Sequence, residues 1–127
     1  MPIERHMVPG EIEPVSHFCH VVRSGDLIWL SGMVGVETDG SIPESTTEQF
    51  RVAMKTIDTC LRHAGGRPDQ IVKVQVFMTD ISERPQINPI RIEYFGENKP
   101  ASTLVEVSSL VDPRMKVEIE AVAYVGP

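Results

Sequence analysis

The chain has 127 residues, 41% of them hydrophobic and 24% charged, with a net charge of −6. That is the size and balance of a single soluble domain over residues 1–127, with enough chain for a real core. The acidic balance argues against general nucleic-acid binding, which needs a basic face, and no run approaches the roughly 18 apolar residues of a membrane span.

The N-terminal Met-Pro-Ile-Glu-Arg-His lacks the basic-then-apolar layout of a signal peptide, so a cytoplasmic location is expected. Residues 1–16, rich in Pro and Glu, read as a strand fragment or an arm. Phe18–Arg23 and Leu27–Leu30 flank Ser24-Gly25-Asp26, a hairpin signal in which Gly supplies the turn. The second strand is expected to end at Ser31-Gly32, before a long loop through Thr38-Asp39-Gly40. His17, Cys19 and His20 invite a metal-site reading. Strand alternation sends His17 and Cys19 one way and His20 the other, and no second ligand pair comes later at a zinc-like spacing. Neither a metal nor a cofactor is expected. Cys19 and Cys60, the only cysteines, read as free thiols that pack as small hydrophobes.

Thr46 to Ala64 is the clearest helix. Phe50, Ala53, Met54, Ile57, Leu61 and Ala64 form one apolar stripe, Ser45 and Glu48 fit a capping box, and Gly65-Gly66 ends the run. Asp58 and Arg62 are placed for an i, i+4 pair. Ile71–Thr79 alternates as a strand, with Val72, Val74, Val76 and Met78 expected on the buried face. Glu83–Phe95 is a second helical segment, with Ile87, Ile90 and Tyr94 on one side. Pro89 either kinks it or starts a shorter helix after Asn88, leaving the Asn88 amide free at a backbone break.

The last quarter holds two more strands, Ser102–Val107 and Lys116–Val125, joined through a turn at Asp112-Pro113. In the second, Val117, Ile119, Ala121 and Ala123 face one way. Glu118, Glu120, Val122 and Tyr124 face the other, which by pattern alone is a solvated surface. A carboxylate beside apolar walls would instead serve as an acid or base near neutral pH. Helices alternating with strand groups predict an α+β domain: one mixed sheet with two helices packed on one face. The opposite face, mixed but too apolar to be left bare, calls for another subunit.

Several pieces in this order and spacing resemble the Rid/YjgF family of reactive-intermediate deaminases. They are Leu-Ser31-Gly32, Asp39-Gly40-Ser-Ile-Pro43, Ala64-Gly65-Gly66, Val76-Phe-Met-Thr-Asp80, Ile87-Asn88, Tyr94-Phe95, Pro100-Ala101, Val105-Glu-Val107 and Val117-Glu-Ile-Glu-Ala121. The resemblance covers almost the whole chain. It implies a chorismate-mutase-like fold and a homotrimer with clefts between subunits. It also implies hydrolysis of small enamines or imines such as 2-aminoacrylate to a keto acid and ammonia.

In that family an arginine after the Pro-Ala motif grips the substrate carboxylate through a bidentate fork. Here the position is Ser102, which cannot replace a planar cation. Phe18 stands where a tyrosine is usual, and Met33 where a glutamine is common. The resemblance implies that Glu120 is the catalytic residue, positioning or deprotonating water. Phe18, Ser31, Gly32, Asn88, Ser102, Thr103 and Leu104 are implied to contact the substrate. Glu118 stays on the solvated face. Arg91 is the candidate substitute cation, against its ordinary reading as a solvent-facing helix residue. The expected substrate is a small imine or enamine without a carboxylate at the usual place. The alternative is a non-catalytic ligand-binding or regulatory protein that retains the fold.

Overall fold

The computed structural model describes residues 2–127. In chain order the elements are β1 (Ile3–His6), β2 (Val21–Ser24), β3 (Leu27–Val34), α1 (Thr46–His63), β4 (Ile71–Met78), α2 (Arg84–Phe95), β5 (Ala101–Glu106) and β6 (Val117–Tyr124). The strands form one sheet in the order β1-β2-β3-β6-β4-β5. Among the described residues only β4 and β5 run parallel. A parallel pair cannot be closed by a tight turn, and α2 supplies the crossover.

Both helices lie on one face of the sheet. The α1 stripe is buried as its spacing predicts, against Ile28, Leu30, Val74, Val76, Ile119 and Ala121. Ser45 caps α1 by accepting the Glu48 N–H at 3.1 Å. The reciprocal half of the box does not form, because Glu48 turns to Arg51 instead. Tyr94 donates its hydroxyl to Asp58, which also holds Arg62, so α2 is tied to α1 through one carboxylate. Among the described residues no helix is long and apolar enough to cross a membrane.

Four expectations change. Residues 18–20 are not in a strand, because the buried His20 ring is anchored to the preceding loop. β3 does not end at Ser31-Gly32 but continues to Val34 past a slip of register between Leu30 and Met33. On β4 the ladder with β6 slips between Ile71 and Lys73. That bulge turns Ile71 into the core with Val74, Val76 and Met78, and throws Val72 outward. α2 runs through Pro89 without a break at Asn88. One missing N–H so near the start costs less than the burial of Ile87, Ile90 and Phe95 returns.

The sheet face away from the helices is laid out in rows set by strand pairing: Glu120–Gln75–Thr103, Glu118–Phe77–Val105 and Val122–Lys73–Ala101. Trp29 pairs Val122 and Leu27 pairs Tyr124 on the same face. Trp29 is 41% and Tyr124 42% exposed in the single chain.

Candidate functional site

The β3 bulge builds the site. Ser31 and Gly32 fall where β3 has no register partner on β6, so the strands part at this point. Glu118 fills the gap: a Cβ on Gly32 would collide with Glu118 Oε2, so only glycine leaves room for that carboxylate. Ser31 is held from the opposite side. Its N–H donates to His20 O at 3.1 Å and its hydroxyl to Cys19 O at 2.6 Å. The N–H and hydroxyl of Ser31, a residue expected to contact substrate, are therefore already engaged.

The N-terminal loop forms one wall. The Val8 N–H donates to His20 Nδ1 at 2.8 Å, which leaves the ring proton on Nε2, and Nε2 donates to Ile12 O at 2.7 Å. One buried imidazole thus fixes the stretch that carries Ile12, Pro14, Val15 and Phe18. The opposite wall comes from the segment before β6. Gln49 of α1 is fully buried inside the apolar stripe. Its Nε2 donates to Pro43 O and Arg114 O, and its Oε1 accepts the Lys116 N–H. A glutamine at a helix position flanked by core residues was the available signal for that tie.

Between the walls lies a cleft of about 590 Å³. Ile12, Val15, Phe18, Met33, Val36 and Met115 give it an apolar lining, and Ser31, Glu118 and Glu120 provide polar groups within it. Phe18 is 47% exposed, its ring left at the open mouth. Glu118 was expected on a solvated face but is half-buried beside Gly32. Burial pushes its carboxyl above the usual carboxylate range, and the charge of Glu120 adds to the push. Arg114 also reaches the cleft, but Asp112 holds it by two contacts of 2.9 and 3.0 Å. The same contacts hold the Asp112 carboxyl down at about 2.

One chain brings Glu120, Phe18, Ser31 and Gly32 into this cleft and leaves Asn88, Ser102, Thr103 and Leu104 outside it. Those four do not share one surface either. Ser102 pairs Val74 and Leu104 pairs Val76, which puts both on the helix side. Thr103 faces outward with Gln75 and accepts a hydrogen bond from Lys73 Nζ at 3.1 Å. Arg91 of α2 reaches Ser102 Oγ at 2.8 Å, and Asn88 is exposed one turn earlier on the same helix. No set of three or more His, Cys, Asp or Glu side chains is grouped for a metal among the described residues. His20 is fully occupied by backbone groups.

Residues 9–125 match the family model described as endoribonuclease L-PSP. A RutC family protein of Pyrococcus abyssi is 32% identical over 88% of this chain and 89% of its own length. The chain belongs to the Rid/YjgF family. The 3-aminoacrylate deaminase RutC of Acinetobacter baylyi is 28% identical, over 98% of this chain and all of that one. The crystal structure of RidA from an Antarctic Psychrobacter superposes with a TM-score of 0.88 at 25% identity, covering 95% of this chain and 100% of that one. The six-stranded mixed sheet with two helices is therefore the chorismate-mutase-like fold of Rid/YjgF proteins.

Proposed function

We propose that this Rid/YjgF protein is a hydrolase that deaminates a small imine or enamine, working as a homotrimer whose clefts are completed by neighbouring subunits. The observation that carries the reading is the pair of carboxylates, Glu118 and Glu120, on the floor of an apolar-walled cleft. The named activity of the related RutC protein supports the same reaction class. The description of the family model points to RNA cleavage, but a net charge of −6 and a carboxylate-floored cleft repel a polyphosphate.

The pair divides the proton work. Glu118, whose carboxyl holds its proton to higher pH, donates it to the imine nitrogen. Glu120 orients a water and takes its proton as the oxygen attacks the imine carbon. The resulting carbinolamine receives the Glu120 proton on nitrogen and returns its hydroxyl proton to Glu118 as the C–N bond breaks. Carbonyl product and ammonia leave, one water is consumed and both carboxyls are restored. An enamine enters by taking the first proton on carbon.

The trimer rests on the outer sheet face, where Trp29, Tyr124, Leu27 and Val105 stay exposed in one chain. Sedimentation at micromolar concentration should give about three times the chain mass, and a stable monomer would remove the shared cleft. Ammonia release from freshly generated imines, compared between wild type and Glu120→Gln, tests the chemistry. Binding without release in wild type would favour the regulatory alternative.

A further inference from the structure

The charge of the cleft is lopsided. Among the described residues that line it, Glu11, Glu13, Asp112, Glu118 and Glu120 are acidic, and Arg114 is the one guanidinium. Asp112 holds that guanidinium through two hydrogen bonds, at 2.9 and 3.0 Å, which leaves it little charge to offer a ligand. The His20 ring accepts the Val8 N–H on Nδ1, so it stands in the cleft wall as a neutral imidazole. A carboxylate on the substrate would therefore meet like charge and no free cation. It would also press on the Glu118 carboxyl, whose ionisation the charge of Glu120 already opposes. A planar cation relieves that repulsion.

The size and lining of the cleft add a second condition. Its volume of about 590 Å³ falls in the range of roughly 300–1,000 Å³ that takes a drug-sized ligand, more room than a three-carbon imine fills. Val15, Phe18 and Val111 line it yet stay 71%, 47% and 74% exposed in the single chain. Such apolar surface beside a cleft calls for an apolar ligand. We propose that the substrates are imines of hydrophobic primary amines, bound as iminium cations and carrying no carboxylate. The apolar group of the amine lies along Val15, Phe18 and Val111, and the C=N bond over Glu118 and Glu120. This deepens the hydrolase reading, on which it rests for the reaction. In balance, R–CH=NH₂⁺ and water give R–CHO and NH₄⁺, so the organic product is an aldehyde and not a keto acid. The reaction that supplies such a substrate is the two-electron oxidation of a primary amine, R–CH₂–NH₃⁺, by an amine oxidase or dehydrogenase whose own acceptor takes the electrons.

Phenylacetamidine and phenylacetate test the charge, because their end groups are planar and alike in shape but opposite in sign. In calorimetric titration of the assembled protein, wild type should bind the amidinium about tenfold to a hundredfold tighter than the acid, the scale of a charge-assisted contact. Acetamidine should bind about tenfold more weakly than phenylacetamidine, the lower end of what burying one aromatic group contributes. Phe18→Ser should shrink that second ratio and leave the first. Equal or tighter binding of phenylacetate by wild type would overturn the proposal, as would acetamidine binding as well as phenylacetamidine. If Phe18→Ser fails to assemble, the two wild-type ratios still decide. Ammonia release from imines freshly made from 2-phenylethylamine and from phenylalanine, which differ only in the carboxylate, separates the two readings. Faster release from the phenylalanine imine keeps the hydrolase and removes the proposal. Amidinium preference without release from either imine removes the hydrolase and keeps the ligand class of the cleft.

Discussion

The cleft under β3 and the seam beside β5 are both places where a strand meets something other than a regular neighbour, yet they carry opposite charge. In the cleft, a bulge opens the ladder and two carboxylates occupy the space, with apolar walls raising the proton affinity of Glu118. On the seam, the sheet simply ends, and a helix arginine leans over the last strand. Glu120 and Thr103 lie in one row two strands apart, about 10 Å by ordinary strand spacing. The seam residues Ser102 and Arg91 are on the other side of β5. A single chain therefore keeps the Glu118 and Glu120 carboxylates apart from the Arg91 guanidinium. They do not neutralise each other as Asp112 and Arg114 do.

The largest way to break this contrast is at the acid–base end. Glu120→Gln keeps the size and packing but removes the proposed base, and should lower ammonia release by about 10²- to 10⁴-fold with the sedimentation mass unchanged. A variant that retains most of its activity would move the chemistry away from β6. Next in size is the wall. His20→Ala leaves the Val8 N–H and the Ile12 carbonyl without their partner. It should cost about 1–3 kcal/mol in urea unfolding and raise KM, because Phe18 loses its anchor. Unchanged stability would mean that the loop is held by other contacts.

Gly32→Ala is subtler. The new methyl displaces only the end of a flexible Glu118 side chain, so unfolding should shift little. Activity should fall about tenfold, less than the roughly 10²-fold that losing a general acid outright costs, because the donor is displaced and not removed. Equal activity would separate Glu118 from catalysis. The smallest effect expected is thermodynamic. The carboxyl of Glu118 is raised in the folded state, so its ionisation opposes folding. That penalty is absent below the ordinary carboxylate range and appears as pH rises through and above it. Glu118→Gln should therefore raise Tm slightly at pH 8 and not at pH 4. The same gain at both values would point to packing rather than charge.

Where burial obeys a repeating pattern, the chain could be read directly. The α1 stripe from Phe50 to Ala64, the alternation of β6 and the turn at Asp112-Pro113 all stand as the spacing predicts. The expected bounds of β5 and β6 fall within one residue of the observed strands at each end. Reading failed where one residue interrupts a pattern. Alternation placed Val72 in the core, and a single bulge exchanged it for Ile71. Alternation also should have separated Thr103 from Ser102 and Leu104, which resemblance had grouped together. Glu118 looked solvated because its face of β6 is polar by composition. Whether such a face meets water or a loop depends on residues a hundred positions earlier.

The sequence by itself determined the elements, the helix-facing core and the family, because these rest on local periodicity and on motif order. Ser102 directly after Pro100-Ala101 is likewise visible without coordinates. Only the tertiary structure decided that Glu118 is half-buried, that one buried imidazole builds the cleft wall, and that Arg91 stands over Ser102 with no acidic partner among the described residues. Each of these depends on a contact between segments far apart in the chain, such as Gly32 with Glu118 or Val8 with His20. A side chain's environment is set by what folds over it, and no local pattern records that.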